Sequence, residues 1–250
     1  MKIPAQLALE NFNALAQNPY PGRGLILGMD EEGNNALQVY WIMGRSESSR
    51  NRVFGQEFGR LSVELADPSK STDPKQLELI VYDAMLDDGA YFVVSNGRQT
   101  DDVMASRNMD VGLMDYTYES DVPNFTPRIT GVFGIHPITG ERHYKIVIIR
   151  KSSRDDSCER IGYRYQTIGR GFGYCVTTYR GDGNPLPSFH GEPLLMPLRG
   201  SPEEILEAYW QALNADNRVA LAVKVIPLDQ VGRSRILIRN KYEKVAAVTS

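Results

Sequence analysis

Five arginines, Arg23, Arg45, Arg50, Arg52 and Arg60, fall between positions 23 and 60 without a single lysine, in a chain whose formal net charge is -3. A guanidinium presents a planar fork that matches phosphate or carboxylate at two points, whereas an ammonium acts as a point charge. The run therefore points to shape-specific recognition of a small anion. The competing reading is a row of surface arginines paired with Glu47, Glu57 and their neighbours, which contributes little. A second chemistry-bearing stretch, Ser95-Asn96-Gly97-Arg98-Gln99-Thr100-Asp101-Asp102, follows an apolar run and opens a helix predicted to reach Met109. Asp101 and Asp102 in its first turn satisfy the helix dipole and repel phosphate, so this loop suits ribose hydroxyls or a carboxamide. A turn followed by a helix cap explains the same residues without any ligand.

Other reactive residue types give weaker patterns. His136, His143 and His190 are the only histidines, and no third ligand is spaced near the first two in the manner of a zinc or iron site, so no metal is assigned. Neither a phosphate-binding P-loop nor a GxSxG nucleophile elbow occurs. Cys158 lies in a charged stretch and Cys175 in an apolar one, which fits incidental thiols better than a nucleophile. Gly169, Gly171 and Gly173 alternate, which would bare one face of a strand for close packing; the order is not that of a dinucleotide fingerprint.

The elements that must position these residues are legible from periodicity. Ala5, Ala8, Leu9, Phe12, Leu15 and Ala16 recur at helical spacing over residues 4–17, ahead of Pro19. Segments 23–30 and 36–44 flank the turn-forming DEEGNN and read as a hairpin. Segments 77–86 and 90–95, joined by Asp87-Asp88-Gly89, read as a second, and 128–135 with 143–150 around HPITGER as a third. The aromatic run 163–180 is strand-like. Ser201-Pro202-Glu203-Glu204 starts a helix to about Asn214, with serine as cap, proline in the first turn and acids at its positive end. Strands over 218–226 and 234–239 precede a tail ending at Ser250. No repeat or low-complexity linker divides the chain, so one domain spans residues 1–250. Hairpins outnumber βαβ units, which predicts an antiparallel α+β architecture.

Composition narrows the function classes. With 42% hydrophobic and 24% charged residues the chain reads as an ordinary globular protein. A sequence pI near 5.7 argues against a nucleic-acid partner, and neither a polybasic membrane patch nor a transmembrane stretch is evident. Polar residues interrupt the N-terminal segment, which therefore does not read as a signal peptide, and two cysteines without CxxC spacing suit a reducing compartment. A cytoplasmic protein is expected.

Four segments taken together, Tyr20-Pro-Gly-Arg23-Gly, Tyr40 with Gly44-Arg45-Ser46 and Asn51-Arg52, Ser95-Asn96-Gly97 with Thr100-Asp101, and Thr126-Pro127-Arg128-Ile129, resemble the archaeal-type IMP cyclohydrolase family. The resemblance covers residues 20–226, leaving residues 1–19 as an N-terminal helical extension and 227–250 as a C-terminal strand and tail. It implies a four-layer αββα sandwich of antiparallel sheets, like that of N-terminal-nucleophile hydrolases. It also implies closure of 5-formamidoimidazole-4-carboxamide ribotide to inosine monophosphate without metal or organic cofactor. In that reading Arg52 and Tyr82 polarise the formyl oxygen and Glu119 transfers a proton. Arg23, Arg45 and Arg128 contact phosphate and carbonyl groups, while Asn96, Gly97, Thr100 and Asp101 surround ribose or carboxamide. Arg50 and Arg60 stay on the surface. Two alternatives share these residues: a non-catalytic purine-ribotide binder, and an amidohydrolase on the same scaffold, which needs a liberated nucleophile that Met1-Lys2 does not offer. Edge strands of such sheets are often covered by a neighbour, so a homo-oligomer also fits.

Overall fold

The computed structural model describes residues 3–70, 77, 79–136 and 138–245. Met1-Lys2, Pro137 of the HPITGER turn and the last five residues of the tail lie outside the described residues. One sheet takes β1 (Gly24–Met29), β2 (Asn35–Met43), β10 (Phe172–Thr177), β11 (Leu194–Pro197), β12 (Arg218–Pro227) and β13 (Arg235–Asn240) in the order β11-β10-β1-β2-β12-β13. The other runs in chain order from β3 (Arg52–Glu57) through β4 (Arg60–Leu65), β5 (Tyr82–Asp87), β6 (Tyr91–Ser95), β7 (Arg128–Ile135) and β8 (Arg142–Lys151) to β9 (Cys158–Tyr165). Every pairing is antiparallel. The helices are α1 (Pro4–Gln17), α2 (Glu47–Arg50), α3 (Gln99–Ser106), α4 (Met109–Gly112) and α5 (Pro202–Ala212).

Strand alternation dictates the layers. On β2, Ala36, Tyr40 and Ile42 face the second sheet, while Leu37, Val39, Trp41 and Met43 face outward under α1 and α5. Both faces are buried, which is why the strand is apolar from Ala36 to Met43 except at the buried Gln38. On the outer side of the seven-stranded sheet, Tyr91, Val93, Val132, Val147 and Ile149 pack with Val103 of α3 and Met109 of α4. The chain is thus α+β, with two antiparallel sheets packed face to face and helices on both outer faces. The start of α5 is fixed as its sequence predicts: the Ser201 hydroxyl accepts from Glu204 N–H at 3.1 Å, and the Glu204 carboxylate accepts from Ser201 N–H at 2.7 Å. No helix among the described residues is long and apolar enough to cross a membrane.

Several hydrogen bonds join the sheets, among them Gln38 Nε2 of β2 to Phe92 O of β6 at 3.0 Å and the Asn240 side chain of β13 to both backbone groups of Phe54 of β3; two further ties use buried ionisable side chains. At one end the hydroxyls of Tyr40 (β2) and Tyr82 (β5) lie 2.6 Å apart. At the other, Lys224 of β12, fully buried between the sheets, donates to the carbonyl of Gly59 at 3.1 Å and to the Asp87 carboxylate at the end of β5. Burial lowers the Lys224 pKa while Asp87 opposes the shift. Truncating one partner would strand a buried charge.

Four expectations need correction. The run 163–180 is not one strand: its halves are β9 and β10, in different sheets, joined through Gly171 at a φ of +73°. Periodicity cannot register such a crossing, because Tyr165 and Tyr174 are aromatic on either side of it and stack across the gap with ring centroids 3.9 Å apart. Of the three alternating glycines only Gly173 lies in a strand, packed against Gly28 and Ile26. The predicted strand 77–86 begins only at Tyr82, with residues 77, 79 and 80 helical and 78 outside the described residues. The helix predicted to reach Met109 stops at Ser106, where Arg107 turns left-handed at a φ of +50°, and Asn108 caps a separate short helix.

Gly24 illustrates how tightly the site end of the six-stranded sheet is packed. A Cβ built there would stand 2.0 Å from Cζ2 of Trp41, its fully buried cross-strand partner. Gly24→Ala is expected to destabilise the protein by about 1–3 kcal/mol, the usual cost of overpacking, read as a lowered denaturation midpoint with an unchanged slope.

Candidate active site

The antiparallel register brings distant chain segments to one end of the sandwich. Arg23 precedes β1, Arg45 and α2 follow β2, Arg52 opens β3, Tyr82 opens β5, Asn96 follows β6, Arg128 opens β7 and Tyr179 follows β10. There a cavity of about 410 Å³ is lined by Arg23, Arg45, Arg52 and Glu119 together with Tyr20, Tyr179, Thr126 and the serines of α2 and its cap. Three of the five clustered arginines thus meet in one place. Arg60 stays outside, exposed and paired with Glu57 at 3.3 Å. Arg50, expected on the surface, is instead part-buried and donates to Gly44 O at 3.0 Å and Asn217 at 3.3 Å, fastening the turn after β2.

Glu119 and Arg23 form the charged centre. Arg23 Nη2 donates to Glu119 Oε2 at 2.8 Å, and Arg23 Nη1 donates to the carbonyl of Asn96 at 3.1 Å. Burial pushes the Glu119 carboxyl above its ordinary range, against the pull of Arg23 and Arg128. Burial also works to lower the Arg23 pKa, but Glu119, Tyr82 and Tyr40 outweigh it and the guanidinium stays charged. Glu119 is held in register by its own N–H, which donates to Thr126 O at 2.9 Å.

Arg52 is 4% exposed, so its orientation is imposed. Nε donates to Ser49 O at 2.7 Å and Nη2 to Met43 O at 2.9 Å. No hydrogen-bond partner for Nη1 exists among the described residues, on a side chain that lines the cavity. Burial, reinforced by the nearby Arg23 charge after the favourable influence of Tyr82, lowers its pKa. Tyr82 is buried, bonded to Tyr40, and is not among the residues lining the cavity. Arg45 sits at the mouth, bonded to Asp182 and lying 4.8 Å over the ring of Tyr20, which stacks on Tyr179.

Arg128 opens onto a neighbouring cavity of about 320 Å³ with Arg98, Asp101, Asp102 and Tyr116, and Leu79 borders both spaces. Its guanidinium donates to Gln99 Oε1 at 3.0 Å and lies 5.2 Å over the Tyr116 ring. The expectation that Asn96, Gly97 and Thr100 surround a ligand is not matched by their placement. All three are buried and line neither space. The Asn96 amide receives from Ile129 N–H at 2.8 Å and Gln99 Nε2 at 3.0 Å and donates to Pro127 O at 2.9 Å. Thr100 donates to Gly97 O at 2.9 Å. A Cβ on Gly97 would stand 2.7 Å from Gln99 Oε1 and 2.9 Å from Arg128 Nη1. These residues form a buried relay, Arg23 to Asn96 to Gln99 to Arg128, that sets the spacing of two guanidiniums.

Sequence reasoning passed over several lining residues. Tyr20 and Thr126 stood inside recognised motifs without a role, and Tyr179 read only as a strand aromatic. Asp121, which accepts from Thr126 N–H at 2.7 Å, and Asn124 carry no sequence signal. Among the described residues no group of three or more His, Cys, Asp or Glu could hold a metal ion. A family model described as IMP cyclohydrolase-like protein matches residues 20–230. No curated protein matches the chain.

Proposed function

Because the chain belongs to the IMP cyclohydrolase-like family across residues 20–230, we propose that it closes the purine ring, converting 5-formamidoimidazole-4-carboxamide ribotide to inosine monophosphate and water. One observation carries the reading: Arg23, Arg45, Arg52 and Glu119, spread over nearly a hundred residues, border a single cavity whose volume falls within the range that holds small ligands. The layered αββα arrangement supports an N-terminal-nucleophile-hydrolase-like scaffold in one domain, working as a cytoplasmic enzyme; a shared scaffold does not bring amide hydrolysis with it.

The chemistry joins two arms of one molecule, so holding them in a near-attack geometry is the first requirement. The carboxamide nitrogen attacks the formyl carbon and gives up a proton as the formyl oxygen gains one. That hydroxyl then leaves as water, taking up the proton that the former formamide nitrogen releases as its double bond to the formyl carbon forms. Arg52, which lines the cavity with two of its nitrogens anchored and Nη1 without a partner among the described residues, stabilises the charge that grows on the formyl oxygen. Glu119, raised in pKa by burial, takes the carboxamide proton and returns it to the departing oxygen. Tyr82 acts through Tyr40 as a support for both arginines. Arg45 and the serines around α2 receive the phosphate dianion at the mouth.

The direct test is an absorbance assay of purified protein with the formamido ribotide. Ring closure well above the uncatalysed rate, saturating with ribotide, is expected. Ribotide binding measured calorimetrically without turnover would leave a binding protein and refute the enzymatic reading.

A further inference from the structure

A cavity of about 1040 Å³, larger than the catalytic one and sharing no residue with it, opens on the outer side of the seven-stranded sheet. It lies where the α3–α4 connection crosses β6, β7, β8 and β9. Its apolar floor comes from Tyr91, Met109 and Val132, members of the cluster on that outer side. Around that floor stand Arg107, His136, His143, Lys145 and Arg164, facing one carboxylate, Asp110. In a protein of net charge -3 this is a local reversal of sign.

The charges do not cancel. Asp110 accepts from Lys145 Nζ at 2.5 Å and from Arg164 Nη2 at 3.2 Å, so one acid serves two cations. Arg107 pairs separately with Asp88 at 3.0 Å. His136 Nδ1 accepts from the N–H groups of Ile138 at 3.4 Å and Thr139 at 3.2 Å, so the neutral ring carries its proton on Nε2 and can donate. The His143 ring lies over Gly134, where any Cβ would collide with it, and has no hydrogen-bond partner among the described residues. The groups facing it are Arg164 from β9, Lys145 from β8, His136 from the β7–β8 turn, and Asp110, Arg107 and Tyr91 across the cavity. Burial and then the charges of Arg164, His136 and Lys145 hold its pKa below the usual imidazole value.

We propose that this cavity is a second ligand site, for a nucleoside monophosphate, with the planar base over the apolar floor and the phosphate against Arg164, Lys145 and the two imidazoles. Both parts of such a ligand have a counterpart: floor area for a heterocycle, and a cationic surplus whose repulsion a phosphate dianion relieves. The site goes beyond the ring-closing reaction and stands or falls independently of it.

The chain has three histidines, two of them in this cavity and the third, exposed His190, in neither cavity, which makes histidine NMR a local probe. The full chain is titrated with adenosine monophosphate, and in parallel with adenosine and with inorganic phosphate, following the ring Cε1–H signals. The nucleotide is expected to shift His136 and His143 saturably, raise the His143 pKa and leave His190 in place. Arg164→Glu, at a side chain 75% exposed and ion-paired to Asp110, is expected to weaken that binding about tenfold, the loss of one charge-assisted contact of roughly 1.4 kcal/mol. Silence at His136 and His143, equal movement of His190, unchanged affinity in Arg164→Glu, or an equal response to phosphate or adenosine alone would each overturn the proposal. Nucleotide entering the catalytic cavity touches neither probe, so failure here is separable from failure of the ring-closure assay.

Discussion

Arg52→Ala is expected to lower kcat for ring closure by about 10²- to 10³-fold, the loss associated with removing one donor aimed at a developing oxyanion. Orientation is the cause. Met43 O and Ser49 O hold the guanidinium of this cavity-lining residue by two nitrogens, so it need not reorganise at the moment of reaction. KM should change much less, because the contact strengthens as charge moves onto the oxygen. The same two carbonyls lose a partner in the variant, so a fall in stability is also expected. Arg52→Lys separates the two effects: an ammonium keeps the charge but not the fork, and should restore stability more than rate. A kcat within about threefold of wild type in a folded Arg52→Ala protein would remove Arg52 from the mechanism, since a loss that small lies far below a donor's contribution.

Glu119→Gln is expected to lower kcat roughly 10²- to 10⁴-fold, the range for loss of a positioned general base. The amide preserves size and can still accept from Arg23 Nη2, so ribotide affinity should survive. The pH profile carries the sharper prediction. A base works deprotonated, so wild-type kcat should rise with pH through the Glu119 pKa, and burial places that limb above the ordinary carboxylate range. Glu119→Gln should lose the limb. Because Arg23 pulls the Glu119 pKa down, Arg23→Ala should move the limb to still higher pH. An acidic limb that persists unchanged in Glu119→Gln would assign it to another group.

Strand positions were legible wherever alternation was strong. β1 with β2, β7 with β8, and β12 with β13 fall within a residue or two of the spans their apolar periods predict. Sheet membership was not legible, because Tyr165 and Tyr174 carry identical chemistry on opposite sides of the crossing from one sheet to the other. For the site, residue type gave only a run of five arginines, and the family resemblance singled out Arg23, Arg45 and Arg52, which border one cavity, and Arg128, which borders the next. What sequence could not supply is depth. Asn96 and Thr100 are polar residues in a loop motif, a pattern shared by ligand contacts and buried brackets alike, and only their saturated hydrogen bonds reveal the bracket. The Tyr82 bond to Tyr40 was likewise not legible, since it depends on two sheets facing each other.

Clamped at both ends by the Tyr40–Tyr82 and Lys224–Asp87 bridges, the sheets cannot shear past one another without breaking a phenol pair or exposing a solvent-starved ion. Substrate capture therefore has to proceed with a rigid floor, and any closing motion is confined to the mouth, around Arg45 and its serines. Variants that tune turnover by altering mobility should accordingly map to that rim, whereas changes between the layers should register as loss of folded protein.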